Sequence, residues 1–281
     1  MCELMALSFA KPVSADFSLR EFALRGEENA DGWGLGWYPD QSLAVAKEPV
    51  KWGQSKLTGF LEGYAGLQAR LYIAHVRHKT TGGEPTHADT HPFRRELGGR
   101  DYCFAHNGAL AATALELPLG RFRPVGSTDS EHAFCHLLDE VARREDALDT
   151  EAAWQWLHGK LSAMNRLGKL NCLLSDGRRL FCYHDAAGWK GLTFRKVYLA
   201  EGGVRHFADA AVEVEVAGEA FNHGVVVATQ PLSGSGWHPF QKAELIVLEE
   251  GRMRFSSHGA DRDGMVAAAA QPGAVVQPEP C

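Results

Sequence analysis

The sequence predicts an α+β fold rich in short strands and covered by two helices, and three observations predict it. "RLYIAHVRH" (70–78) and "YCFAHNG" (102–108) are short, apolar, β-prone runs that end in polar or glycine-containing segments, as strands leading into turns do. "KLNCLLSDGRRLFCYHD" (169–185) sets Asp176-Gly177 between two apolar runs, and "AELIVLEEGRMRF" (243–255) repeats that form around Gly251, so both read as hairpins. Phe134, Leu137, Leu138 and Val141 recur at helical spacing after a Ser/Thr/Asp start that can cap a helix, and Trp154, Leu157, Leu161 and Met164 make a second stripe. Stripes of this width bury one helix face, here against a sheet.

At 281 residues the chain is long enough to bury a large core without disulfides or metal staples. Its 45% hydrophobic and 23% charged residues are those of a globular protein, so disorder is expected only at the end. From residue 257 onward the composition turns to "GMVAAAAQPGAVVQPEPC", with no amphipathic period, which divides the chain into one domain over 2–256 and a flexible tail over 257–281. A net charge of -6 without a long basic run gives no footprint for nucleic acid or an anionic membrane, so a small polar metabolite is the expected partner. The short apolar start lacks a basic n-region and is soon followed by Lys11 and Asp16, and no run is long enough to span a bilayer. Six scattered cysteines without C-x-x-C spacing fit a reducing cytoplasm.

Chemistry begins at the second residue. Removal of Met1 leaves Cys2 with a thiol and a free α-amine on one residue, a nucleophile with its own base. Arg77 follows a strand and calls for an anion, either a carboxylate ligand or one of the chain's own acids. Asn107 and Gly108 could form a two-donor oxyanion hole or a type I′ turn. Asp129, at the start of the first helix, could cap that helix or receive an ammonium group. The small residues of "ENADGWGLGWY" (28–38) suit a pocket wall or a sharp strand start. His87 and His91 are four apart, but Pro85 and Pro92 flank them and disfavour the helix a metal pair would need, so no metal site is expected.

Taken in order, Cys2, "AHVRHKTTGG", "AHNG" and "STDSE" resemble the glutaminase domain of class II glutamine amidotransferases, which are N-terminal nucleophile hydrolases. "NADGWGLGWY", "GGEPTHADTHPF" and "ATQPLSGSGW" resemble the small stand-alone bacterial members, and the likeness runs from residue 2 to about 250. The resemblance implies a four-layer αββα sandwich with two antiparallel sheets face to face. It implies that Cys2 attacks the side-chain amide of L-glutamine, that Asn107 and Gly108 hold the oxyanion, and that Arg77 and Asp129 hold the substrate α-carboxylate and α-ammonium. Thr80 would orient substrate, and Gly32, Trp33 and Gly34 would line the pocket. No cofactor is implied.

Two departures stand out. Glu28 occupies a position where better-known members carry arginine, and Thr81-Gly82 stands where they carry a His-Gly pair. No acceptor domain is expected either, so ammonia would pass to a separate synthase partner or be released. A larger γ-glutamyl amide, of the kind met in ergothioneine biosynthesis, is the alternative substrate, and a catalytically silent glutamine-binding module is the alternative role.

Overall fold

The structure, a computed structural model, describes residues 2–18, 30–51, 54–61, 64, 67–78, 86–200, 203–208 and 213–259. Most of the expected tail, from residue 260, lies outside them. With strands numbered along the chain, nine form one sheet: β1 (Glu3–Ser18), β2 (Ala30–Trp37), β3 (Ala44–Glu48), β4 (Gln68–His78), β9 (Thr193–Leu199), β10 (Val204–Ala208), β11 (Glu213–Gly218), β12 (Asn222–Ala228) and β13 (Trp237–Pro239). The second sheet contains β5 (Phe93–Leu97), β6 (Arg100–Leu110), β7 (Gly168–Ser175), β8 (Arg179–Tyr183), β14 (Leu245–Glu249) and β15 (Arg252–Ser256). Three α-helices are described, α1 (Lys56–Leu61), α2 (Asp129–Val141) and α3 (Glu151–Asn165).

Main-path order is β13-β9-β12-β1-β4-β2-β3 in the first sheet and β15-β14-β8-β7-β6-β5 in the second, and the paired strands are antiparallel. β1 shifts register between Ser8 and Val13, and its far end pairs with β11, which in turn pairs with β10. The two sheets meet through Leu4, Ala6, Leu71, Ile73, Val225 and Val227 on one side and Cys103, Ala105, Leu173, Cys182 and Ile246 on the other.

Both helical stripes read from the sequence lie over the second sheet, with Phe134, Leu137, Leu138, Leu157 and Leu161 buried there against Phe104, Leu174 and Phe181. Each helix starts at a threonine cap. The Thr128 hydroxyl accepts the Glu131 N–H at 3.2 Å and the Thr150 hydroxyl accepts the Ala153 N–H at 3.1 Å. Leu57 and Leu61 of α1 pack on the outer core of the first sheet, beside Met5, Leu7 and Tyr72. The layers are therefore α2 and α3, second sheet, first sheet, α1, in agreement with the expected sandwich.

Both expected hairpins form, with Ser175 opposite Leu180 and Glu249 opposite Arg252. Gly177 and Gly251 take φ of 83° and 70° at their turns, a region that favours glycine. Asn107-Gly108 is no turn: it lies inside β6, with Asn107 opposite Asn171 and Gly108 opposite Leu170.

Candidate active site

Strand parity brings the chemistry to one end of the space between the sheets. Along β1, Leu4 and Ala6 face the second sheet while Met5 and Leu7 face outward, so Cys2 continues the inward series. Leu71 and Ile73 set the same inward face on β4, which His75 and Arg77 continue; Cys103 and Ala105 set it on β6, which Asn107 continues. Registers then align these positions. Glu3 pairs with Val76, so Cys2 lies next to the Arg77 level, and Gly32 of β2 pairs with Arg77 from the other side.

A direct bond closes the gap between the sheets: Asn107 Nδ2 donates to the Cys2 carbonyl oxygen at 2.8 Å. Asn107 is fully buried, and its Oδ1 meets no hydrogen-bond partner among the described residues. Arg77 Nη1 is likewise buried and unpartnered among them. A guanidinium N–H taken from water without an acceptor is unfavourable, so this group calls for an anion.

Cys2 is half-buried, whereas Cys103, Cys135, Cys172 and Cys182 are buried. Burial pushes each of those four thiols up from its ordinary value, which leaves them poor nucleophiles at neutral pH.

Gly108 is a glycine for a packing reason. A β-carbon there would collide with the Lys169 carbonyl and the His106 ring, both on the side away from the inter-sheet space. Its N–H direction follows from the ladder. The Leu170 N–H opposite Gly108 goes to Asp185 Oδ2 at 2.8 Å, so this is not a mutually bonded pair. The Gly108 N–H therefore leaves β6 by the other edge, the edge at which the Leu110 N–H meets Asp129 Oδ2 at 2.6 Å.

Asp129 does not cap α2, since Thr128 does; it is the first helical residue. Its Oδ1 accepts the Ser130 N–H at 2.8 Å. With one N–H on each oxygen, the carboxylate keeps lone pairs for a further donor.

The wall beside Arg77 was not foreseen as a whole. His75 and His91 are both buried, with ring centroids 4.4 Å apart, and neither ring nitrogen of His91 has a hydrogen-bond partner among the described residues. Burial, with His106 and Arg77 nearby, pushes His75 down to about 3; burial and the facing His75 hold His91 well below its ordinary value. Both rings are therefore neutral at pH 7. The His91 carbonyl seats on the face of Gly34, where a β-carbon would collide with it, and Gly32 faces Thr90. Asp89 ties this loop to the start of α2, accepting the Ser127 N–H at 2.7 Å and the Thr86 hydroxyl at 2.8 Å. Burial works to raise its carboxyl, but the Ser127 N–H, the Thr86 and Ser127 hydroxyls and Arg77 prevail and hold it below the ordinary range.

Gly32 and Gly34 thus lie on the inward face, but Trp33 does not: it is fully buried in the outer core of the first sheet, behind the site. Thr80 lies outside the described residues, as do Glu28, Thr81 and Gly82. Among the described residues no group of three or more His, Cys, Asp or Glu could hold a metal ion, and His91 faces His75 rather than His87. No helix among them is long and apolar enough to cross a membrane.

The family model described as "Glutamine amidotransferases class-II" matches residues 1–271. A Methanocaldococcus jannaschii protein named "Uncharacterized protein MJ1515" is 35% identical over 258 residues, covering 92% of this chain and 72% of its own. The Escherichia coli protein named "Putative glutamine amidotransferase YafJ" is 33% identical over 242 residues, covering 84% and 92%. Among solved structures, a "predicted glutamine amidotransferase" from Pseudomonas aeruginosa superposes with a TM-score of 0.70 at 26% identity, over 90% of this chain and 99% of that one. The glutamine phosphoribosylpyrophosphate amidotransferase of B. subtilis shares the fold, with a TM-score of 0.59 at 16% identity over 91% of this chain and 48% of that one.

Proposed function

Because the chain belongs to the class II glutamine amidotransferases, we propose that it hydrolyses the side-chain amide of L-glutamine through a thioester on Cys2, giving glutamate and ammonia. The observation that carries this reading is the Asn107–Cys2 bond at 2.8 Å, which joins an amide donor on one sheet to the nucleophile at the head of the other. Once Met1 is removed, the Cys2 α-amine takes the thiol proton and Sγ attacks the amide carbon. An α-amine titrates near pH 8, close enough to neutrality to give that proton back. Charge moves onto the amide oxygen, where the second Asn107 Nδ2 proton and the Gly108 N–H are the donors. Collapse breaks the C–N bond, and ammonia leaves with the proton from the α-amine. Water then attacks the thioester with the same amine as base, releasing glutamate and restoring the thiol.

Recognition rests on two opposite charges. Arg77 Nη1, buried and without a partner among the described residues, supports a contact with the α-carboxylate, and the spare lone pairs of Asp129 support one with the α-ammonium. Arg77→Lys keeps the charge but loses the planar fork, so KM for glutamine rises by roughly tenfold to a hundredfold, the equivalent of about 1.5–3 kcal/mol for a charge-assisted contact. Asp129→Asn raises KM in the same way. Steady-state kinetics on folded variants tests both, and a KM unchanged in each would make these residues structural and remove this reading of substrate recognition.

A further inference from the structure

His106 lies on the far face of β6 from Asn107, buried at 2% exposure, yet its bonds lead back to the site. Nε2 is 3.0 Å from the Lys169 carbonyl oxygen, which only accepts, so Nε2 carries the ring proton. Burial holds the ring below its ordinary value, although Asp129, the Lys169 carbonyl and Asp185 work the other way. A neutral ring protonated at Nε2 presents a lone pair at Nδ1, 2.8 Å from Ser130 Oγ. Ser130 has one hydroxyl proton and two acceptors for it. The His106 nitrogen at 2.8 Å is the nearer, and the other is Asp129 Oδ1 at 3.3 Å.

We propose that His106 is a positioning residue for substrate recognition: by taking the Ser130 hydroxyl proton, it keeps that hydroxyl off Asp129 and leaves the carboxylate lone pairs for the substrate α-ammonium. This rests on the reading of Asp129 given above. Without an acceptor at Nδ1, the hydroxyl turns to Asp129 Oδ1 and competes with the ammonium for the same charge. Gly108 belongs to the arrangement, since any side chain there would displace the His106–Lys169 bond that fixes the ring.

Two substitutions separate the bonds of this ring. His106→Asn places an amide oxygen near the Nδ1 position and gives up the Lys169 bond; His106→Gln reaches Lys169 but offers Ser130 no nearby acceptor. KM for glutamine is expected to stay near wild type in H106N and to rise about tenfold in H106Q with kcat little changed, the effect of weakening one charge-assisted contact. Adding Ser130→Ala to H106Q removes the competing hydroxyl and returns KM toward wild type. The same variants are assayed with glutaramate, the analogue of glutamine that lacks the α-amine, on which H106Q acts like wild type.

A ring that only braces the strand gives the reverse order, H106N worse than H106Q, no rescue by Ser130→Ala, and equal losses on both substrates; that pattern overturns the proposal. Should H106Q fail to fold, Ser130→Ala alone decides. A wild-type preference for glutamine over glutaramate is then retained under the proposal, and its loss would place the hydroxyl on the ammonium instead. If wild-type enzyme itself does not prefer glutamine to glutaramate, the role of Asp129 is what fails.

Discussion

Cys2→Ala abolishes glutamine hydrolysis, a loss of roughly four to six orders of magnitude for removal of the nucleophile from a concerted catalytic unit, while the melting temperature stays where it was. The two halves of this expectation have separate causes. Chemistry is lost because no other described cysteine can replace Cys2: the remaining four are buried, with thiols raised by that burial. Stability is kept because Cys2 precedes the first strand and belongs to none of the three apolar cores. Asn107 bonds to its backbone carbonyl, which alanine retains. Activity and a melting curve measured on one preparation check the pair. Residual hydrolysis near wild type would exclude Cys2 as the nucleophile.

Asn107→Ala is expected to lower kcat by roughly a hundredfold to a thousandfold with KM little changed, because in the proposed mechanism the lost donor faces charge that exists only in the transition state. The structure adds a stability effect. Asn107 is fully buried, and its amide is a hydrogen bond between the two sheets, so the variant also loses about 1–3 kcal/mol of folding free energy. Kinetics must therefore be taken below the variant's own melting transition. A kcat near wild type in folded protein would leave Asn107 as a brace for the head of β1 and nothing more.

Local patterns carried much of this architecture. The two hairpins are legible because Asp176-Gly177 and Gly251 interrupt apolar runs, and the two long helices because their apolar stripes recur at helical spacing, the first after a Ser/Thr/Asp start. Asn107-Gly108 shows where local chemistry misleads. The dipeptide has turn character, but Asn171 opposite Asn107 and the His106–Lys169 bond beneath Gly108 hold it in a strand. Trp33 shows a pattern that could have been read further. Gly32, Gly34 and Gly36 alternate with Trp33 and Leu35, so period-two geometry sends the glycines to one face and Trp33 to the other, away from the pocket.

The facing of His75 and His91, the tie from Asp89 to Ser127 and the His106–Ser130–Asp129 chain join residues 16, 38 and 24 positions apart or less. No periodicity predicts them, because each depends on how loops and strands from different elements converge. His75 alone had a local signal, lying two residues before Arg77 and so on the same face of β4.

The central claim is that an unblocked N-terminal Cys2 is the group that attacks glutamine, and intact-mass analysis with an electrophilic diazoketone or chloroketone analogue of glutamine tests it most directly. Active protein is expected to lack the mass of Met1, to gain a single adduct in step with loss of activity, and to yield that adduct on Cys2 after digestion. Excess L-glutamine should slow its formation. Full retention of Met1 in active protein, or inactivation by an adduct on another residue, would contradict the account.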